Sequence, residues 1–313
     1  MKPRLLQYVG LMPSLEQALA RDYDVHPLHR EPDPAAFLRQ QGHTFAGVVT
    51  SAKFGVPVSV LQHLPQVKVV SSLGVGYDTF DLADARARGI QIGYTPDVLN
   101  ECVADTAFGL LIDTARQFSA SDRFVRQGQW HQGAYPLTTK VSRKRLGIVG
   151  LGRIGRVIAH RASGFDMVIR YHNRHPLSDV LYGYEPSLLA LAQWCDFLMV
   201  ISAGGEQTRH LISADILHAL GPQGHLVNVS RGSVVDEAAL VQALKNKTIA
   251  GAGLDVYQNE PEVPPALLTL DNVVLLPHVA SATHETRQAM ADCVLANLAG
   301  FFATGTVPVA VPI

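Results

Sequence analysis

Cysteine is scarce in this chain: three residues among 313, at Cys102, Cys195 and Cys293, each inside an apolar stretch. Thiols that few, that far apart and odd in number exclude a disulfide framework and point to reduced side chains in the core of a cytoplasmic protein. An excess of either charge is also missing, since 26 basic and 27 acidic residues are mixed along the chain for a net charge of -1. That balance offers no electrostatic footprint for nucleic acid or for a membrane surface, which leaves a small molecule as the expected partner. Long apolar runs are absent as well. Met1-Lys2-Pro3-Arg4 leads into a strand-like run rather than the apolar core of a signal peptide, so neither export nor anchoring is expected. No internal repeat or low-complexity tract stands out, and no metal site is expected.

What is present is enough apolar material, 47% of residues, for two cores. The first hundred residues alternate short apolar runs ("RLLQYV", "FAGVVTS", "VKVVSSL", "IQIGY") with helix-like segments ("PSLEQALARD", "SVLQHLPQ", "DLADARARG"). This βαβα order predicts a mostly parallel sheet covered by helices. The segment from Asp97 to Gln127 breaks the rhythm and reads as one or two long helices. A second series follows: "RLGIVG", "MVIRYH", "CDFLMVIS", "HLVNVS", "AGAGLDV" and "NVVLLPH", six strands with crossovers between them, as in a doubly wound nucleotide domain. The closing segment, "THETRQAMADCVLANLAGFFATG", is helical with no further sheet to cover, and its expected return to the first domain makes that domain discontinuous. The expected division is 1–98 with 286–313 for one domain and 99–285 for the other. Within "WHQGAYPL", Trp130 and Tyr135 suit either an aromatic wall of a site or a contact between subunits.

Gly150-Leu151-Gly152-Arg153-Ile154-Gly155 follows an apolar strand and opens a helix. In that setting Gly150 makes the tight turn, Gly152 lets the backbone approach a pyrophosphate and Gly155 lets helix and strand pack closely, with the helix N-terminus facing the anion. One more absence then becomes informative. Asn173 and Arg174 lie 18 and 19 residues after Gly155, in "YHNRHP", where an NAD site places a carboxylate for the ribose hydroxyls. Without it a 2′-phosphate meets no like charge, Arg174 offers planar charge-assisted hydrogen bonds and Asn173 a further donor, so NADP(H) is expected in preference to NAD(H). The competing reading is that Arg174 is a solvated loop cation. Ser202, closing the third strand of the series, is assigned to the cofactor side too.

Arg231 in "NVSRG", Asp255 and Glu260 in "GLDVYQNEP" and His278 in "LLPHVASAT" all follow strands of the second series. Carboxyl ends of parallel strands are where such sheets bind ligands, so these residues can converge. Together with "GLGRIG", and with "SSLGVGYDTFDL" earlier in the chain, these motifs resemble the D-isomer-specific 2-hydroxyacid dehydrogenase family over essentially the whole length. "TTKVSRKRLGIVGLGRIG" with "YHNR" looks most like its NADPH-preferring glyoxylate, hydroxypyruvate and hydroxyphenylpyruvate reductases, with 2-ketogluconate reductases close by.

The resemblance implies a Rossmann NADP-binding domain inserted in a flavodoxin-like substrate domain, both doubly wound parallel α/β sheets, and a homodimer. It also implies reduction of a small 2-oxo acid. Arg231 holds the carboxylate and polarises the carbonyl, because a guanidinium stays charged and presents a fork of donors. His278 gives the proton, and Glu260 fixes its ring. Asp255 accepts from the cofactor carboxamide, and Thr106 lies near the cofactor phosphates, although a helix threonine bonded to its own backbone competes with that role. Leu73, Gly74, Val75 and Gly76 form the substrate loop, with Val75 and Gly76 on the carboxylate; Ser51 also ends a strand and suits the cleft, while Lys53 suits the surface. The family also contains dinucleotide-sensing corepressors, so a binding protein of that kind is the alternative to an enzyme.

Overall fold

The strand-like runs of the first hundred residues become β1 (Arg4–Gln7), β2 (Asp24–Pro27), β3 (Gly47–Ser51), β4 (Val69–Leu73) and β5 (Gln91–Gly93) in the computed structural model, which describes residues 2–312. They pair in parallel in the order β2-β1-β3-β4-β5. Alternation along each strand sends side chains to opposite faces. Leu6, Val48, Val70 and Ile92 enter one core with Phe45, whereas Leu5, Val49 and Val69 enter another with Leu15 and Leu19 of the helix Pro13–Asp22. The second of these cores is completed by Ala291, Val294 and Leu298 of the helix His284–Thr304. Asn297 of that helix is fully buried and donates to Tyr94 O at 3.1 Å, and Ser71 Oγ of β4 donates to Val294 O at 3.1 Å. Four strands were expected here and five are present. The added one, β2, reads DVHP, an exposed-to-intermediate edge strand closed by proline, which leaves no apolar run to recognise.

A second unit carries β6 (Arg145–Val149), β7 (Val168–His172), β8 (Gly183–Tyr184), β9 (Phe197–Val200), β10 (His225–Asn228), β11 (Gly251–Leu254) and β12 (Val273–Leu275). All pair in parallel, in the order β12-β11-β10-β9-β6-β7-β8. Six strands were expected; the seventh, β8, contributes two residues beside Arg170 and Tyr171, too short for any periodicity to show. The long segment before β6 forms two helices, Asn100–Arg116 and Phe118–Arg126, separated at Gln117 by a left-handed backbone with φ 55°. The first buries Ala104, Ala107, Leu110 and Leu111, while the second buries none of its residues. By internal contacts the chain divides into Met1–Leu99 with Thr283–Ile313, and Asn100–Ala282. No helix among the described residues is long and apolar enough to cross a membrane.

Candidate functional site

Because every strand of the second sheet runs the same way, the residues that follow β6, β7, β9, β10, β11 and β12 gather along its carboxyl edge. Gly150, Asn173, Ser202, Arg231, Asp255 and His278 are all on that edge.

The glycine turn behaves as its spacing predicts. Gly150 has φ 100°, and a Cβ there would stand 2.7 Å from the backbone of Ser202. A Cβ on Gly155 would meet Gly150 O at 2.4 Å, whereas one on Gly152 would meet nothing within 4 Å, so space is open at the position meant for a phosphate. The helix Arg153–Ser163 begins at once and turns the positive end of its dipole toward the loop. Asn173 Oδ1 accepts from Leu151 N at 2.7 Å, which ties the end of β7 to the turn and leaves its amide group as a donor. Arg174 is exposed, with Nη1 donating to Gln207 Oε1 at 3.2 Å. Thr106 donates to Cys102 O at 3.2 Å and lies 3.4 Å from Ala280 O, so the expected competitor for this hydroxyl, its own helix backbone, is realised.

After β10 the chain folds back on itself. Asn228 Oδ1 accepts from Ser230 N and Ser230 Oγ at 3.0 and 2.8 Å, while its amide donates to Arg231 O at 3.0 Å. Arg231 Nη1 donates to Ser230 O at 2.9 Å. Gly232 is needed at the next position, since a Cβ would sit 1.9 Å from the carbonyl carbon of Tyr257. That close approach joins the arginine turn to the segment carrying Asp255 and Glu260.

His278 Nδ1 lies 2.8 Å from Glu260 Oε2. The Glu260 side chain is 14% exposed and that of His278 38%, so the carboxylate is sheltered behind a ring that still opens outward. Tyr257 N donates to Glu260 Oε1 at 3.2 Å, fixing the second carboxylate oxygen. Burial first, then the charges of Asp255 and Glu260, pushes the Tyr257 phenol up to about 12. It therefore stays a donor, at 2.9 Å from Leu276 O, two residues before His278.

Asp255 is fully buried. Its Oδ1 accepts from Val279 N at 2.7 Å and its Oδ2 from Ala280 N at 3.0 Å. Burial raises its carboxyl above the usual value, and those two N–H groups oppose the shift. Each oxygen thus accepts one N–H from the turn that bears His278 and keeps a second lone pair for a further donor.

In the first unit, Leu73 closes β4 and Ser51 closes β3 opposite it. Gly74, at φ 136°, donates its N–H to Thr95 Oγ1 at 3.1 Å. Its donor is committed to the fold, a correction to the picture of four successive donors. Trp130 is 68% exposed, and Tyr135 packs edge-on to Phe124 while donating to Gln117 Oε1 at 3.0 Å.

Sequence reasoning missed Asn228, Gln207 and the hydroxyl of Tyr257. Only Asn228 carried a signal, since asparagine at a strand end with serine two residues on favours a side-chain-closed turn.

The family model for the D-isomer specific 2-hydroxyacid dehydrogenase NAD binding domain matches residues 108–280. Glyoxylate/hydroxypyruvate reductase A of Arabidopsis thaliana is 44% identical over 92% of this chain and 92% of its own length. The 2-ketogluconate reductase of Gluconobacter oxydans is 42% identical over 97% of each. Among solved structures, the NADPH-dependent glyoxylate/hydroxypyruvate reductase of Sinorhizobium meliloti, in complex with NADP and malonate, superposes with a TM-score of 0.91 at 42% identity, covering 99% of this chain and 97% of that one.

Proposed function

This chain belongs to the D-isomer specific 2-hydroxyacid dehydrogenase family, and from that premise we propose that it reduces a small 2-oxo acid to the D-2-hydroxy acid with NADP(H) in preference to NAD(H). Glyoxylate or hydroxypyruvate is the leading substrate, with 2-ketogluconate and hydroxyphenylpyruvate as alternatives. The observation that carries the reading is the His278–Glu260 pair at 2.8 Å on the strand edge that also bears Arg231 and the glycine turn.

The residues suit the cofactor. The open face of Gly152 suits a pyrophosphate, while the exposed Arg174 fork beside the Asn173 amide suits a 2′-phosphate, with no carboxylate at either position. When bound, the nicotinamide supplies the hydride that reaches C2 of the substrate. As negative charge develops on the carbonyl oxygen, His278 delivers a proton to it from Nε2, with Nδ1 held by Glu260. Arg231 lies against the carboxylate and carbonyl oxygens and lowers the cost of that charge. The backbone N–H groups of Val75 and Gly76, with Ser51 and Leu73 beside them, are the contribution proposed for the first unit. The proposed assembly is a homodimer.

The test is a kcat/KM panel with NADPH against glyoxylate, hydroxypyruvate, 2-ketogluconate and hydroxyphenylpyruvate. Turnover of at least one is expected, with NADH markedly poorer. Tight NADPH binding with no turnover of any 2-oxo acid would replace the enzyme with a dinucleotide-sensing binding protein.

A further inference from the structure

His278 does not sit in ordinary strand or helix backbone. Its φ is 55°, in the left-handed region that a residue with a Cβ seldom adopts unless the surroundings enforce it. The surroundings here are specific. Tyr257 Oη holds Leu276 O at 2.9 Å ahead of the histidine. Immediately behind it, consecutive N–H groups of Val279 and Ala280 converge on the two oxygens of one fully buried carboxylate, Asp255. Ala280 O is 3.4 Å from Thr106 Oγ1, and Ala282 N donates to Val279 O at 2.8 Å. The densest support in this turn falls on the two peptide groups that follow His278, and those groups fix where its Cα–Cβ bond points.

We propose that Asp255 is a positioning residue for the proton-transfer step, gripping the Val279 and Ala280 N–H groups so that His278 is held left-handed with Nδ1 on Glu260. The inference rests on the reading of His278 as proton donor, and it gives Asp255 a role on the backbone behind that histidine. Aspartate suits the place because its two acceptors span neighbouring N–H groups, a charge-assisted pairing about twice as strong as a neutral one. Asparagine turns one acceptor into a donor facing an N–H, which frees half of the turn. A displacement near 1 Å at a reacting group is enough to cost roughly 100-fold in rate.

The experiment compares wild type with Asp255→Asn in histidine-15N-labelled protein, following the Nδ1 proton of His278, assigned through His278→Gln, together with steady-state kinetics and NADPH affinity. Expected for Asp255→Asn are a displaced His278 resonance, kcat lower by roughly 100-fold, KM within about threefold and NADPH Kd within about twofold of wild type. A loss confined to NADPH affinity overturns the proposal in favour of a carboxamide contact. An unmoved resonance also overturns it. Should Asp255→Asn fail to fold, replacing Ala280 by lactate through nonsense suppression deletes a single N–H and leaves the carboxylate in place; the same resonance then moves, or the proposal fails. Absence of turnover in the wild type is failure of the proposed reaction, and the resonance still reports on the turn.

Discussion

Arg174 offers the most direct experiment on a single side chain. Replacing it with alanine removes charge-assisted hydrogen bonds of about 1.5–3 kcal/mol, so the ratio of kcat/KM for NADPH over NADH is expected to fall by roughly 10- to 100-fold; an unchanged ratio returns Arg174 to the solvated surface. His278→Gln is expected to lower kcat by about 100- to 10,000-fold while NADPH still binds, measured by fluorescence titration beside the assay. His225 concerns stability instead. It is buried against Phe197, ring centroids 5.0 Å apart, and burial depresses its pKa to about 4. The unfolded chain takes up this proton near pH 6.5 and the folded chain only near 4, so stability is full above about 6.5 and is lost as pH falls between those values. A shift of that size corresponds to about 3 kcal/mol. In His225→Phe, urea denaturation from pH 6.5 to 4 is expected to show a correspondingly flatter decline, and an identical decline would acquit the imidazole.

At the scale of elements, the tightest seam on the site is Gly232 against the Tyr257 carbonyl. Gly232→Ala forces a methyl into backbone, which costs at least the 1–3 kcal/mol typical of overpacking, so both a lower Tm and a lower kcat/KM are expected, from the displaced Arg231 turn. A normal Tm would show that the seam yields. The elements themselves were legible in proportion to their length and burial. β6 and β9 are apolar runs buried almost throughout, and the glycine turn could be placed because strand and helix flank it. β2 and β8 escaped notice, because an edge strand ending in proline and a two-residue strand leave no pattern. The site divides along the same line. The placement of Arg231, Glu260 and His278 beyond strands was readable from the sequence, but the engagement of Asp255 with two N–H groups depends on how β11 and the turn after β12 pack, which sequence spacing does not encode. Gly74 differs from expectation for the same reason: its N–H meets a partner on another segment, Thr95.

For the whole molecule, the exposed segment after residue 117 is where the proposed homodimer can be tested. Its helix buries nothing, and Phe118, Val125, Trp130 and Leu137 are all exposed. Apolar side chains so displayed on one stretch are characteristic of contact surfaces. A dimer is expected by light scattering, and Leu137→Asp is expected to shift it toward monomer; a wild-type monomer at micromolar concentration would leave this surface without that role. A different consequence follows from the chain path. The core around Leu5, Leu15 and Leu19 closes only when Val294 and Leu298 arrive, nearly three hundred residues later in synthesis. While the stretch from 100 to 282 is being made, one face of the opening strands lacks the helix that covers it in the folded chain. The unit built from two segments is thus completed only after the one inserted between them has been made, so a chain truncated before Val294 is expected to leave that sheet face bare.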